Sequence, residues 1–186
     1  MALMFFKRAY FRPDDYRKSV SDIDYDRLKS QGVDILFIDL DNTLAPYDES
    51  LPSIWAMALL KRLLTAGFTI VLISNNHEAR VKRFAAAVGL PYIYSAKKPF
   101  GFGYRRAEKR LGRPDRSRIC VIGDQLMTDV YGAKRLGYRA ILVDALKRKT
   151  EKWFTRINRV LEQKALADMQ KADPAWFAEM KLAEKR

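Results

Sequence analysis

Val33-Asp34-Ile35-Leu36-Phe37-Ile38-Asp39-Leu40-Asp41-Asn42-Thr43 passes from a run of hydrophobes straight into two carboxylates, an amide and a hydroxyl. A short, near-continuous apolar run of this kind predicts a strand covered on both faces, as in parallel sheets. The form recurs at Phe68 to Ser74, Tyr92 to Ser95, Arg118 to Ile122 and Arg139 to Val143. Helical patterns separate these runs, which is the sequence form of βαβ units. The expectation is an α/β chain, Rossmann-like, with a five-stranded parallel sheet and helices on both faces.

The intervening helices are marked by their spacing. Ala56, Leu59, Leu60 and Leu63 fall at i, i+3, i+4 and i+7, with Pro52 tolerable in the first turn and Gly67 as a stop. Val81, Phe84, Ala85 and Val88 repeat that spacing and close at Gly89. Phe100, Gly103, Tyr104, Ala107 and Leu111 form a third stripe ending at Gly112 and Pro114, and a fourth helix is expected from Leu126 to Leu136. Three stretches follow: an N-terminal extension over 1–32, a core over 33–146, and a basic, helix-prone extension over 147–186 that packs on the core or on a membrane.

Three polar clusters fall at the carboxyl ends of predicted strands, where open α/β sheets bind ligands. Asp39, Asp41 and Thr43 follow the first strand. Alone they could form a solvated turn, since Asp and Asn are ordinary turn residues. Ser74-Asn75-Asn76 closes the second strand and opens a helix whose N–H groups suit an anion, although Asn75 with Glu78 also has the form of a capping box. Gly123-Asp124-Gln125-Leu126-Met127-Thr128-Asp129 follows the fourth strand and sets two carboxylates at a helix start, where Asp129 could simply favour the helix dipole.

Taken in order, Asp39-Leu40-Asp41-Asn42-Thr43, Ser74, Lys98-Pro99 and Gly123-Asp124 with Asp129 resemble the four motifs of the haloacid dehalogenase (HAD) superfamily. Pro13-Asp14-Asp15-Tyr16, Ser74-Asn75-Asn76, Lys97-Lys98-Pro99, the segment Gly123 to Val130 and Phe154-Thr155-Arg156-Ile157-Asn158-Arg159 look like the YqeG-type subfamily IIIA phosphatases, from Arg12 to Lys164. The resemblance implies a Mg²⁺-dependent phosphomonoester hydrolase that works through an aspartyl-phosphate. It makes Asp39 the nucleophile and Asp41 the general acid and base, whose presence favours hydrolysis over phosphoryl transfer. Mg²⁺ would take Asp39, the Asp41 carbonyl and Asp124, with Asp129 binding or orienting a coordinated water. Lys98, in competition with Lys97, would neutralise charge, while Thr43, Ser74 and Asn75 join it around the phosphoryl group. His77 reads as a surface or rim residue rather than a metal ligand.

HAD relatives carry a cap domain after the first or the third strand, and neither gap in this chain has room for one. A capless site suggests a large substrate or a partner that acts as the cap. The YqeG-type resemblance points to phosphatidylglycerophosphate, a phosphomonoester on a lipid headgroup. The chain of 186 residues carries 35 Lys and Arg against 22 Asp and Glu, a net charge of +13, which attracts anions without choosing among them. Trp153, Ile157, Val160 and Leu161 form an apolar stripe beside Lys147, Arg148, Lys149, Lys152, Arg156, Arg159 and Lys164. With Leu3, Met4, Phe5, Phe6, Tyr10 and Phe11 near Lys7, Arg8 and Arg12, it could touch an anionic bilayer, or pack on its own domain. A capless polynucleotide or protein phosphatase is the alternative, though no nucleic-acid module is recognisable; a non-catalytic binding module is a further one.

The longest stretch free of charge, Leu63 to His77, falls short of the roughly 18 residues of a spanning helix. The N-terminus lacks the form of a secretory signal. The lone Cys120 lies in an apolar run and is expected to be a buried thiol. These features fit a cytoplasmic protein, in peripheral contact with the inner face of the membrane if the stripe binds lipid.

Overall fold

The computed structural model describes residues 8–150 and 153–185. Six strands form one sheet: β1 (Asp15–Arg17), β2 (Ile35–Ile38), β3 (Thr69–Ile73), β4 (Tyr92–Ile93), β5 (Ile119–Gly123) and β6 (Arg139–Val143). Their order is β1-β6-β5-β2-β3-β4, and every pairing is parallel. The five expected strands are all present. The sixth, β1, comes from the first thirty residues, which had been placed outside the sheet. Its sequence Asp-Tyr-Arg has no apolar run; it is held at the edge by register with β6 and by Asp14, whose Oδ2 accepts the Ala140 N–H at 2.8 Å. Tyr16 in this strand is buried and donates its hydroxyl to Asp144 at 3.0 Å.

Among the described residues seven α-helices cover the sheet: α1 (Tyr25–Ser30), α2 (Ile54–Thr65), α3 (Glu78–Val88), α4 (Phe102–Arg110), α5 (Tyr131–Arg135), α6 (Trp153–Ala172) and α7 (Pro174–Glu179). Alternation along β2 sends Leu36 and Ile38 to one face and Ile35 and Phe37 to the other. Helices α1, α2 and α3 pack on the first face through Leu28, Leu59, Leu60, Leu63, Val81 and Phe84. Helices α4 to α7 pack on the second through Tyr104, Ala133, Met169 and Phe177. Phe37, wholly buried, lies between Tyr104 and Tyr138 with ring centroids 6.3 and 5.9 Å away. Burial of one such side chain contributes about 1.5–3 kcal/mol.

Local chemistry sets the helix ends. Ser53, not Pro52, starts α2: its hydroxyl accepts the Ala56 N–H at 3.3 Å. Gly89 ends α3 at φ 65, a left-handed conformation that glycine adopts without steric cost. The expected helix from Leu126 to Leu136 is divided. Leu126–Val130 is a π-helical turn and only Tyr131–Arg135 is α-helical. The Val130 N–H reaches the Gln125 carbonyl, five residues back, at 3.4 Å. Widened turns of this kind recur at functional sites.

The gap between β2 and β3 holds one helix, α2, and the gap between β4 and β5 holds α4 and a short 3-10 turn, so neither carries an inserted cap domain. Among the described residues no helix is long and apolar enough to cross a membrane. The apolar stripe proposed for the C-terminal extension is split. Ile157 and Val160 are 51% and 66% exposed, while Leu161 packs against the core. The side chains of Trp153 and Arg156 lie outside the described residues, as do Leu3, Met4, Phe5, Phe6, Lys7 and Lys152. The face of α6 that turns inward carries Thr155, Arg159, Glu162, Ala165 and Met169.

Candidate active site

Because every strand is parallel, the segments after β2, β3, β4 and β5 meet at one edge of the sheet. Asp39 and Asp41 follow β2, Ser74 to Asn76 follow β3, Lys98 follows β4, and Asp124 and Asp129 follow β5. Asp39, Asp41, Lys98, Asp124 and Asp129 are all buried. Asp39, Asp41 and Lys98 line a small cleft of about 90 Å³ together with Tyr47, Asn75, Asn76, Gln125 and Thr128; Asp124 and Asp129 do not line it.

The Lys98 ammonium contacts Asp39 Oδ1 and lies 2.5 Å from Asp129 Oδ1. Neighbouring Lys97 is exposed and makes no such contact. Asp39, Asp124 and Asp129 each offer a carboxylate oxygen within 4.8 Å of the others. Lys98 is shared between Asp39 and Asp129, while Asp124 is paired with Arg159. Burial raises Asp39 well above the ordinary carboxylate range; Lys98 opposes the shift, and Asp129, Asp124 and Asp41 add to it. Burial raises Asp129 too, again against Lys98. For Lys98 itself burial works downward, but Asp129 and Asp39 outweigh it and hold its proton more tightly than in a free lysine.

Asp41 is fixed from three directions. Ser74 Oγ donates to its Oδ2 at 2.9 Å, Asn76 Nδ2 to the same oxygen at 3.2 Å, and Arg80 Nε to Oδ1 at 3.1 Å. Arg80 in turn donates to the Pro46 carbonyl at 2.8 Å and to the Glu49 carbonyl, tying the loop after Asp41 to α3. Asn42 stands at φ 65, a conformation that asparagine tolerates better than most residues. Its carbonyl accepts the Leu146 N–H at 2.9 Å.

The expected phosphate donors have protein partners of their own. Thr43 Oγ1 donates to Asp124 Oδ1 at 3.3 Å, and Ser74 donates to Asp41. Asn75 does not act as a capping box: α3 is preceded by His77 with no side-chain cap, and the Asn75 amide engages the backbone of Lys98 instead. His77 is exposed and stands apart from the carboxylate cluster.

Glycine at 123 is required by the packing of this site. A Cβ there would lie 2.3 Å from Asp129 Cγ, so the π-helical turn can fold Asp129 back beneath the strand only over a hydrogen. Asp129 Oδ2 also accepts the Gln125 N–H at 3.1 Å.

Further residues close the rim of the cleft. Tyr47 bonds Thr155 across 3.3 Å, and Asn158 Nδ2 donates to Gln125 at 3.3 Å, so the first turns of α6 form part of the rim. The signal that could have found Arg80 is its place four residues before Phe84, on the buried face of α3. Thr155, Arg159, Glu162, Ala165 and Met169 likewise share one helical face, with charged groups where hydrophobes belong.

Comparisons with known proteins place the chain in a family. Residues 7–137 match the haloacid dehalogenase-like hydrolase family. "Probable phosphatase YqeG" of Bacillus subtilis is 34% identical over 164 residues, covering 88% of this chain and 94% of that protein. "Phosphatidylglycerophosphate phosphatase 1, chloroplastic/mitochondrial" of Arabidopsis thaliana is 27% identical over 165 residues, covering 83% of this chain but only 47% of the plant protein. An uncharacterised protein of Listeria monocytogenes superposes with TM-score 0.50 at 18% identity over 59% of this chain and 78% of that one, a likeness of fold.

Proposed function

The chain belongs to the haloacid dehalogenase-like hydrolases and is a phosphoric monoester hydrolase, and from this we propose that it dephosphorylates phosphatidylglycerophosphate through an aspartyl-phosphate on Asp39. The observation that carries the reading is the convergence of Asp39, Asp41, Asp124 and Asp129 at one sheet edge around the buried Lys98.

Asp39, Asp124 and Asp129 suit a hard cation: all their donors are oxygen, they lie mutually within 4.8 Å, and their charge exceeds that of the lysine among them. With the Asp41 carbonyl they would hold Mg²⁺, which when bound supplies charge stabilisation to the phosphoryl oxygens. A carboxylate of Asp39 then attacks phosphorus, and Asp41 gives its proton to the departing alkoxide. In the second displacement Asp41 takes a proton from the water that attacks phosphorus, which frees Asp39 and releases inorganic phosphate. Ser74, Asn76 and Arg80 aim Asp41 at the cleft for both transfers. Lys98 stabilises charge on the phosphoryl oxygens, while the Thr43 and Ser74 hydroxyls, donated to Asp124 and Asp41, hold those carboxylates in place.

Two features support a lipid-borne phosphate. The Arabidopsis thaliana relative bears that activity in its name. The cleft also has no cap over it, and exposed apolar residues, Phe100, Leu146, Ile157 and Val160, stand on segments that adjoin the site. Peripheral contact with an anionic leaflet would present the headgroup to this edge.

A phosphate-release panel tests the reading, comparing phosphatidylglycerophosphate in mixed micelles with phosphorylated oligonucleotides, phosphopeptides and small soluble esters. The lipid should be turned over fastest, and Asp39→Asn should release none. A preference for oligonucleotides or phosphopeptides would move the assignment to a macromolecular phosphatase; a preference for small esters would overturn both.

A further inference from the structure

The family match ends at residue 137, yet the buried end of the sheet is completed by residues well beyond it. Arg159 on α6 contacts Asp124 Oδ2 through one guanidinium nitrogen and donates to the Asp124 carbonyl at 2.8 Å through another. Both side chains are buried, with Asp124 wholly so. Glu162, one turn further along α6, lies 3.4 Å from Arg159 and accepts the Leu126 N–H at 2.8 Å, at the first residue of the π-helical turn that delivers Asp129. Lys185 returns to the same point: its ammonium donates to the Asp124 carbonyl at 3.2 Å and to the Val143 carbonyl at 2.9 Å.

We infer that α6 is a working part of the catalytic centre, in which Arg159 is a positioning residue that sets the Asp124 carboxylate for Mg²⁺ while Glu162 anchors the turn that carries Asp129. The inference rests on the reading of Asp124 as a metal ligand. A planar guanidinium that grips one carboxylate oxygen and the backbone carbonyl of the same residue fixes both the position and the rotation of that carboxylate. Oxygen Oδ1 accepts from Thr43 instead and is clear of the guanidinium. Helix burial alone does not explain the arrangement. Residues 155, 159 and 162 occupy the inward face of α6, and the helix could have met its own packing needs there with hydrophobes, as it does at Ala165 and Met169. A buried charged network of this kind is retained at some cost in desolvation. Its contacts run to the two segments that hold Asp124 and Asp129.

The sign of the effect separates positioning from simple charge balance. A cation beside Asp124 competes with a metal, so if Arg159 were only a counter-charge, weakening its grip would tighten Mg²⁺ binding. If it positions the carboxylate, weakening the grip loosens the metal, by the 10–100-fold typical of groups that orient metal ligands.

Mg²⁺ binding is to be followed by calorimetry and by the Mg²⁺-induced rise in melting temperature, on the full chain, for wild type, Arg159→Lys, Arg159→Ala and Asp124→Asn. Lysine keeps the buried charge opposite Glu162 but loses the two-pronged contact, so Arg159→Lys should stay folded in EDTA and bind Mg²⁺ about tenfold more weakly. The KM for a soluble aryl phosphate measured at saturating Mg²⁺ should change little. Arg159→Ala, where it folds, should show a larger loss than Arg159→Lys. Unchanged or tighter Mg²⁺ binding by Arg159→Lys, with wild type binding normally and Asp124→Asn not, would overturn the inference and leave the phosphatase reading standing. Absence of Mg²⁺ binding by wild type would overturn both.

Discussion

Asn75 and Lys98 are joined by a two-way hydrogen bond: the Lys98 N–H donates to Asn75 Oδ1 at 2.7 Å, and Asn75 Nδ2 donates to the Lys98 carbonyl at 3.1 Å. The segment after β3 therefore holds the backbone from which the lysine reaches Asp39 and Asp129. Asn75→Ala should lower kcat on an aryl phosphate by about 10²-fold, the effect of a displacement near 1 Å in a reacting group, with little change in melting temperature. Wild-type kcat in this variant would mean that Lys98 is held by its ion pairs alone.

Asp39 is stabilising for function and costly for the fold. Its carboxyl is raised well above the ordinary range by burial first and by three neighbouring carboxylates, so without metal the native state carries charge that it would shed in an apolar site. Asp39→Asn should abolish turnover and raise the melting temperature in EDTA, while shrinking the increment that Mg²⁺ adds. A melting temperature in EDTA below that of wild type would show that the Lys98 pairing outweighs the repulsion.

The core of the fold was legible because β2, β3, β5 and β6 are short, near-continuous apolar runs separated by helical patterns, the form of strands buried on both faces. β1 was not legible. Its three residues owe their place to Asp14, Tyr16 and register with β6, contacts that exist only once the sheet is built. At the site, Asp39, Asp41, Lys98, Asp124 and Asp129 could be named through their resemblance to the haloacid dehalogenase motifs, because strand-end position alone leaves each open to a turn or helix-end reading. Their orientation was not legible: Arg80 carries no motif, and the motifs that contain Asn75, Asn76 and Arg159 do not say that these side chains hold Lys98, Asp41 and Asp124. The stripe through Ile157 and Val160 was read from apolar spacing, whereas α6 turns its charged face inward, because buried carboxylates and carbonyls at the sheet edge supply partners for that face.

Asp34 gives a pH-dependent contribution away from the site. Arg118 grips it with Nε on Oδ1 at 3.0 Å and NH2 on Oδ2 at 2.5 Å, joining the entries to β2 and β5 and holding the Asp34 carboxyl below its ordinary value. A depressed folded-state value means that the unfolded chain binds the proton more readily. The contribution is therefore present above the ordinary carboxylate pKa and is lost as pH falls through the depressed value. Both side chains are well exposed, so screening keeps the effect below about 1 kcal/mol. Asp34→Asn should melt slightly below wild type at neutral pH, and the two curves should converge as pH falls through the depressed Asp34 value. A gap that persists unchanged into acid would assign the difference to amide packing rather than to charge.

Ile157 and Val160 are exposed on α6, and Arg148, Lys149 and Lys164 are exposed along the same C-terminal stretch. Apolar side chains that insert shallowly and bases that each gain about 1 kcal/mol near an anionic leaflet act together in peripheral binding. Co-sedimentation should therefore favour vesicles rich in phosphatidylglycerol over neutral ones and should weaken as salt is raised. The double variant Ile157→Asp, Val160→Asp should remain in the supernatant while hydrolysing a soluble aryl phosphate at the wild-type rate, since neither side chain lines the cleft. Turnover of the lipid substrate should fall in the same variant. Equal sedimentation with both kinds of vesicle, or none with either, would remove electrostatic membrane contact, and the lipid phosphate would then have to reach Asp39 as a monomer or with a partner.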